Sequence, residues 1–439
     1  MTLKTRRLLF YSSLLFFLIA AALVIFYAMG FRIDFENKLI QETGGIYVKS
    51  NPVDVEIRLD GEQIKNEAGI LDTGTLIDDL RPGEYQLVIN LADYSEWKKN
   101  IDVKHSAVSI FDSVVLVAQN REKIRDEVDG FYFANDLFVT ESSGVIEFDG
   151  ESITGNEIAH FTENGIVITK DSDTGDYYLS NIFDLNPSVN LTAMFNSLKE
   201  AQLALQGAVS IVKIQPYPYD DRRFVVLTER AIYTLDTEGL LVSQIDSSAS
   251  DFIVSQNEVY WINDAGMFAY NLLLDTKTVV YDGETGNILQ WNADSSAKKI
   301  TILENNGELL SIDNKEATTT TMSTDATYFD ASPGGRFLVF VESTGLTSVY
   351  DFEWEEGDRG KQEISLVTLD TPVKKVIWYI GNTHLFIKTS DNILRFVEID
   401  SFLPTNEVSI SEDVGDFAYD SDGESLYYAN DSGLWRLEF

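Results

Sequence analysis

The chain has 439 residues, 71 acidic and 33 basic, for a formal net charge of −38. That charge repels a phosphate backbone, which argues against nucleic-acid partners, and gives a soluble, self-repelling surface. Cysteine is absent, which excludes disulfides, thiolate metal sites and thiol nucleophiles. The 26 Phe and 20 Tyr, with many Val, Ile and Thr, suit pleated strands, and an all-β fold is expected after an N-terminal helix.

Residues 8–31 (LLFYSSLLFFLIAAALVIFYAMGF) carry no charge. As a helix they would span about 36 Å, against a hydrocarbon core of about 30 Å. Lys4, Arg6 and Arg7 precede the run. This basic flank places a tail of residues 1–7 in the cytoplasm and the rest outside. The expectation is a single-pass protein of the cell membrane with an extracytoplasmic ectodomain. The alternative is a cleaved signal peptide, with small residues at Ala20-Ala21-Ala22 or Ala28-Met29-Gly30. The apolar run is, however, longer than the roughly 7–15 residues of such a segment.

Residues 32–44 read as a polar stalk. From Gly45 the pattern turns to period two. Ile46 to Ser50 alternates, Asn51-Pro52 interrupts, and Val53, Val55, Ile57 and Leu59 then share a face. Asp60-Gly61 and Leu80-Arg81-Pro82-Gly83 are turn signals, the second read as a type II turn with positive φ at Gly83. Tyr85 to Leu91, Trp97 to Val103 and Val108 to Val117 supply further strands. Some five short strands within 45–118 predict a small β-sandwich. Ser50-Asn51-Pro52, Leu59-Asp60-Gly61, Leu80-Arg81-Pro82-Gly83-Glu84-Tyr85 and Tyr94 together resemble the PEGA domain. The chain departs from that pattern at Asp54-Val55, which replaces the Gly-Ala of the family's name. It also departs at Thr75-Leu76 and at Asp93. The resemblance implies a surface-located binding or spacer module and brings no catalytic residues.

Residues 119–130 (QNREKIRDEVDG) read as a charged linker. Residues 131–439 then repeat a strand–turn unit, with starts near Phe131, Ile158, Ile211, Phe252, Ile288, Tyr328, Val376 and Phe417. The spacing is mostly about 36–47 residues, that of four-stranded propeller blades. The expectation is a β-propeller of about eight blades, with seven as the alternative count and two stacked β-sandwiches as the alternative fold. Asp330-Ala331-Ser332-Pro333-Gly334-Gly335 and Tyr419-Asp420-Ser421-Asp422-Gly423 resemble the hairpin turn of Tol-type and WD40-like propellers. That resemblance implies that the turn joins the first and second strands of a blade, with a Gly at positive φ. Residues 191–206 predict an inserted helix with Met194, Leu198, Ala201 and Leu205 on one face and Gly207 as its stop. The last unit offers only three strands, so a fourth is expected from the N-terminal side.

The chemistry-bearing residues are sparse. His105, His160 and His384 lie in different units, which argues against a histidine zinc site. There is no Gly-x-Ser-x-Gly elbow, Walker loop or Rossmann glycine run, and no catalytic or cofactor-binding residue is assigned. Asp171, Asp173 and Asp176 lie in a calcium-loop-like stretch whose alternate carboxylates could bind calcium. Its twelfth position is Ile182 where an EF-hand needs Glu, and a hairpin turn is the simpler reading. A PEGA-like module and a propeller behind one anchor resemble bacterial envelope proteins. The expected function is a membrane-anchored binding or scaffold protein whose partners are an envelope protein or surface glycan. The alternatives are an anchored propeller hydrolase or lyase acting on extracellular polymer, and a sensor needing a membrane partner for output.

Overall fold

The computed structural model describes residues 3–28, 31–34, 39–69, 74–126, 128–134, 137–162, 164–218, 220–283, 285, 287–293, 299–313, 316, 318–355 and 361–439. The chain divides into two compact units. One holds residues 1–120 with 402–408 and 439; the other holds 121–401 and 409–438.

In the first unit the N-terminal helix runs Leu3–Ala28, earlier at both ends than the expected 8–31, and it takes in Arg6 and Arg7. Its stretch Thr5–Ala22 is long and apolar enough to cross a membrane, the one such stretch among the described residues. Apolar side chains stand out along it; Phe16 is 75 % exposed. Met29 and Gly30, part of one expected cleavage site, lie outside the described residues. The expected stalk is partly corrected. Phe31–Asp34 pairs antiparallel with Leu39–Glu42, so much of 32–44 is a two-stranded hairpin. Residues 35–38 of it lie outside the described residues.

Seven strands follow, two more than expected, in two sheets. One orders Gly74–Leu80, Gly44–Asn51 and Val108–Val115; the other orders Glu62–Ile64, Glu56–Leu59, Gly83–Asn90 and Trp97–Val103. Gly44–Asn51 pairs parallel with Val108–Val115, a pairing that links sequence-distant strands and leaves no local signal. Alternation puts Ile57, Leu87, Ile89, Trp97 and Ile101 into a shared core with Ile46. Val55, Ile57 and Leu59 point inward as expected, whereas Val53, in the bend that follows Pro52, is exposed. At Asp60-Gly61 both residues take positive φ, 49° and 83°, the pattern of a tight hairpin. The other turn differs from expectation. Gly83 takes a positive φ as expected, but at 156° it opens a strand, so Pro82-Gly83 is not a type II turn; Asp79, at φ 59°, adopts the left-handed conformation.

The second unit is mostly β. Among the described residues it contains eight four-stranded antiparallel sheets, the repeat a β-propeller is made of. Their first strands are Gly130–Ala134, Glu157–Phe161, Ile211–Tyr217, Asp251–Ser255, Ile288–Ala293, Ala326–Ala331, Val373–Trp378 and Val414–Asp420. Each contains one of the eight starts read from the sequence. Hydrophobic cores lie between consecutive sheets. Phe224 and Val226 of the third sheet meet Ile168 of the second, and Val225 on the opposite face meets Phe252 and Trp261 of the fourth. This two-faced burial is why the second strands read as continuous apolar runs rather than alternating ones.

The eighth sheet completes itself with Glu122–Arg125, which pairs with Gly433–Glu438. The expected linker 119–130 therefore contains a strand. All four of its side chains are exposed and it is paired on one side only, so the apolar pattern that marks a strand is missing. The first strand of the first sheet neighbours those of the second and eighth sheets. Val128, Phe131, Tyr427 and Leu434 form the core where the eighth sheet meets the first.

The inserted helix runs Leu191–Leu203 rather than 191–206. Asn190 caps it by accepting from the Ala193 amide at 2.7 Å. Ala204, at φ 52°, ends it before Gly207 is reached. Its buried face is Leu191, Thr192, Phe195 and Lys199, with Met194 and Leu198 half-buried and Ala201 and Leu205 exposed. The expected stripe was thus rotated. Lys199 lies on the inner face because its ammonium reaches the Gly207 carbonyl at 2.8 Å.

Candidate functional site: a polar belt and the cavity beside it

The first strands of the second unit carry a belt of side chains that bind from sheet to sheet. Lys213 Nζ donates to Asp251 Oδ1 and to the Phe252 carbonyl, both at 2.7 Å. Trp291 Nε1 reaches the other Asp251 oxygen at 2.8 Å. Gln290 donates to the Phe329 carbonyl at 2.8 Å. Trp378 Nε1 donates to Asp330 Oδ2 at 3.0 Å, and the Val376 amide donates to the Tyr328 hydroxyl at 3.1 Å. Lys375 Nζ then repeats the Lys213 arrangement with Asp416 Oδ1 and the Phe417 carbonyl, again both at 2.7 Å. Each lysine also lies over the Phe ring of that dipeptide, at 5.1 Å from Phe252 and 4.9 Å from Phe417. These bonds fix neighbouring sheets against each other and make the first strands a rigid frame.

Burial also alters the ionisation of Asp330 in this belt. Burial pushes its carboxyl up to about 6, against the pull of Trp378 Nε1 and the Ala331 amide toward the charged form. The folded chain holds that proton more tightly than the unfolded one. The group's contribution is therefore full below the ordinary carboxylate range and is lost as pH rises from about 4 to about 6. Asp330→Asn is expected to remove a stability decline on the order of 2 kcal/mol over that interval. Thermal melts of both proteins at pH 4.5 and 7 test this; parallel declines would refute it.

A cavity of 420 Å³ lies at the ends of the same strands. Pro218 contributes from the third sheet, Ser255 and Gln256 from the fourth, Asn292 from the fifth, and Ser332 and Pro333 from the sixth. Ser332 sits in the turn expected from the propeller resemblance. Its hydroxyl accepts from the Phe337 amide at 3.0 Å, and Gly335 takes the positive φ of 71°. In the companion turn at 419–425 positive φ falls on Glu424, at 46°, and not on Gly423. Asp420 supports that turn by accepting from the Asp422 and Gly423 amides at 3.1 Å each. Among the described residues that line the cavity none carries a charged side chain. Such a lining offers amides, hydroxyls and apolar walls, which suit a neutral, hydrogen-bonding ligand.

Asp171, Asp173 and Asp176 lie in the turn between Ile166–Lys170 and Tyr177–Asn181. Asp171 Oδ1 accepts from the Asp173 and Thr174 amides at 2.9 and 3.2 Å, and Asp176 Oδ2 accepts from Asn190 at 3.1 Å. Two of the three carboxylates are thus engaged in holding the turn and the adjoining helix start. Among the described residues no group of three or more His, Asp or Glu is placed to hold a metal ion.

The histidines are dispersed. His105 is exposed and lies 2.7 Å from Glu42. Burial pulls His160 below the ordinary range, with Asp221 opposing. His384 is buried, stacked on Phe396 at 4.6 Å between centroids. The belt was not anticipated from the sequence. Its signal was present, however: Asp251-Phe252 and Asp416-Phe417 each open a unit, and each follows a unit carrying Lys near its own start.

No protein-family model matches the sequence, and no curated protein matches it. Among solved structures the chain is similar to Kluyveromyces lactis Hsv2p, with 11 % identity over 65 % of this chain and 99 % of that one, TM-score 0.45. It is similar to the β-propeller domain of Myceliophteria thermophila Cps50 (Swd1), with 10 % identity over 72 % and 99 %, TM-score 0.42. A chain of a mitotic checkpoint complex gives 12 % identity over 73 % and 97 %, TM-score 0.45.

Proposed function

We propose that this protein is a membrane-anchored binding and scaffold protein of the cell envelope. Residues 8–28, the apolar part of the helix, cross the membrane once, residues 1–7 stay in the cytoplasm, and the remainder works outside as a PEGA-like module and an eight-bladed propeller. The propeller acts by holding a partner, without catalysis. The observation that carries this reading is the 420 Å³ cavity, whose described lining mixes apolar walls with uncharged hydrogen-bonding groups, set on strands that the belt makes rigid. The described lining residues are uncharged, which leaves hydrogen bonding and apolar contact as the means of recognition. A surface glycan or a neutral stretch of an envelope protein meets that description.

The test is a photo-crosslinking residue placed at Gln256 in the full chain in cells, followed by mass spectrometry. One envelope protein or glycan is expected to be captured, and Asn292→Trp, which fills the cavity, is expected to reduce capture at least ten-fold. Capture unaffected by Asn292→Trp would discard the cavity as the site. Turnover of a glycan or peptide panel with no capture would favour the hydrolase or lyase reading.

A further inference from the structure

Residues 402–408 belong to the same compact unit as the β-sandwich, though they follow it by almost three hundred residues. They lie along strand Trp97–Val103, the edge of the four-stranded sheet. One side of this strand pairs with Gly83–Asn90. On the other side the Asn100 amide donates to the Leu403 carbonyl and the Lys98 amide to Asn406 Oδ1, both at 3.0 Å. Lys99, between them, is 0 % exposed, and its Nζ donates to the Phe402 carbonyl at 2.7 Å. The Phe402 ring lies 5.1 Å from Phe111 and packs against the sandwich core.

The segment crosses the edge as a bent chain, and it engages the strand through two main-chain carbonyls, one side-chain amide and one aromatic ring that enters the core. Lys99 makes that engagement selective. The inward positions of this strand are otherwise Trp97, Ile101 and Val103, and an apolar residue at 99 would complete the core without desolvating a charge. An ammonium there instead selects an acceptor at a defined place along an incoming chain. The segment sits shallowly: Phe402 is half-buried and Leu403 is 66 % exposed.

We propose that the edge formed by Trp97–Val103 is an acceptor for a short protein segment that binds in a bent conformation. Its ligand carries an aromatic residue whose carbonyl meets Lys99 and an amide side chain four positions later. In the resting chain residues 402–406 occupy the edge as a built-in ligand and keep it closed. This site is separate from the cavity of the second unit, and the proposal stands or falls without it.

The test uses the purified full chain in detergent and a fluorescent peptide of residues 399–408. Phe402→Ser with Asn406→Ser opens the edge. The peptide is expected to bind this variant at least ten-fold more tightly than the wild type. Binding is expected to be lost when the peptide's Phe is replaced by Ala, or when Lys99→Met is added to the open variant. Equal binding to open and wild-type chains, or binding indifferent to Lys99, overturns the proposal. Hydrogen exchange on the wild type gives a second measurement that needs no variant. The Lys98 and Asn100 amides are expected to exchange faster than those inside Gly83–Asn90, as an edge covered by a displaceable segment requires; equal protection overturns it.

Discussion

Chains ending at Leu434 are expected to lose the cooperative unfolding transition of the second unit, or to lower its midpoint by more than 15 °C by an order-of-magnitude argument. The residues removed form most of strand Gly433–Glu438, which is paired on both sides, with Ser425–Asn430 and with Glu122–Arg125. Leu437 is fully buried, and a buried Leu reduced to Ala alone costs about 2–5 kcal/mol. Trp435, under the ammonium of Lys123, and Arg436, 2.6 Å from Glu122, go with it. Glu122–Arg125 then keeps only the Arg125–Leu434 end of its pairing, and the core of Phe131, Tyr427 and Leu434 loses its cover. Against a total stability of about 5–15 kcal/mol these losses decide the outcome. Glu438→Ala is the control, since its side chain is exposed and a surface ion pair contributes little. An unchanged melting curve after the truncation would show that the eighth sheet does not need this strand.

Trp97→Ala is expected to destabilise the β-sandwich by about 3–5 kcal/mol. Trp97 is 1 % exposed, packs edge-on against Phe111 at 5.5 Å between centroids, and belongs to the core shared by both sheets. Its removal leaves a cavity that rigid strands on either side cannot collapse. Trp97→Phe keeps the edge-on contact and is expected to cost less than half as much. Hydrogen exchange of strand Gly83–Asn90 reads the effect locally, with protection falling roughly 100-fold or more for Ala by the usual free-energy conversion. Equal protection in the two variants would mean that packing at Trp97 does not hold the sheet.

Much of the second unit was legible because its repeat is local. Seven of the sheets, and three strands of the eighth, are meanders of consecutive strands, so an apolar run, a turn and another run appear in order, and eight starts could be marked. The strand Glu122–Arg125 was missed for the opposite reason: its partner is far away and its side chains are exposed. The helix face was misread because the rule used counts apolar residues. Lys199 is buried by a hydrogen bond that no count of apolar residues can show. Lys99 is the same case in a strand, where period two puts it inward but gives no reason for its being there. Val53 and Pro82-Gly83 were misplaced by a residue or two, the scale on which turn geometry overrides pattern. The belt and the cavity join residues some forty positions apart, and only the stacking of sheets brings them together.

The pairing of Glu122–Arg125 with Gly433–Glu438 also sets an order in time. The first of these strands leaves the ribosome roughly 300 residues before the second is made, which at about 5–20 residues per second is a delay of roughly 15–60 s. During that interval seven sheets can form from neighbours already synthesised, while one short, charged strand waits unpaired. Its exposed Glu, Lys and Arg side chains make it a poor template for stray strands. The composition that hid it from sequence reading is what keeps the nascent chain soluble until its partner arrives.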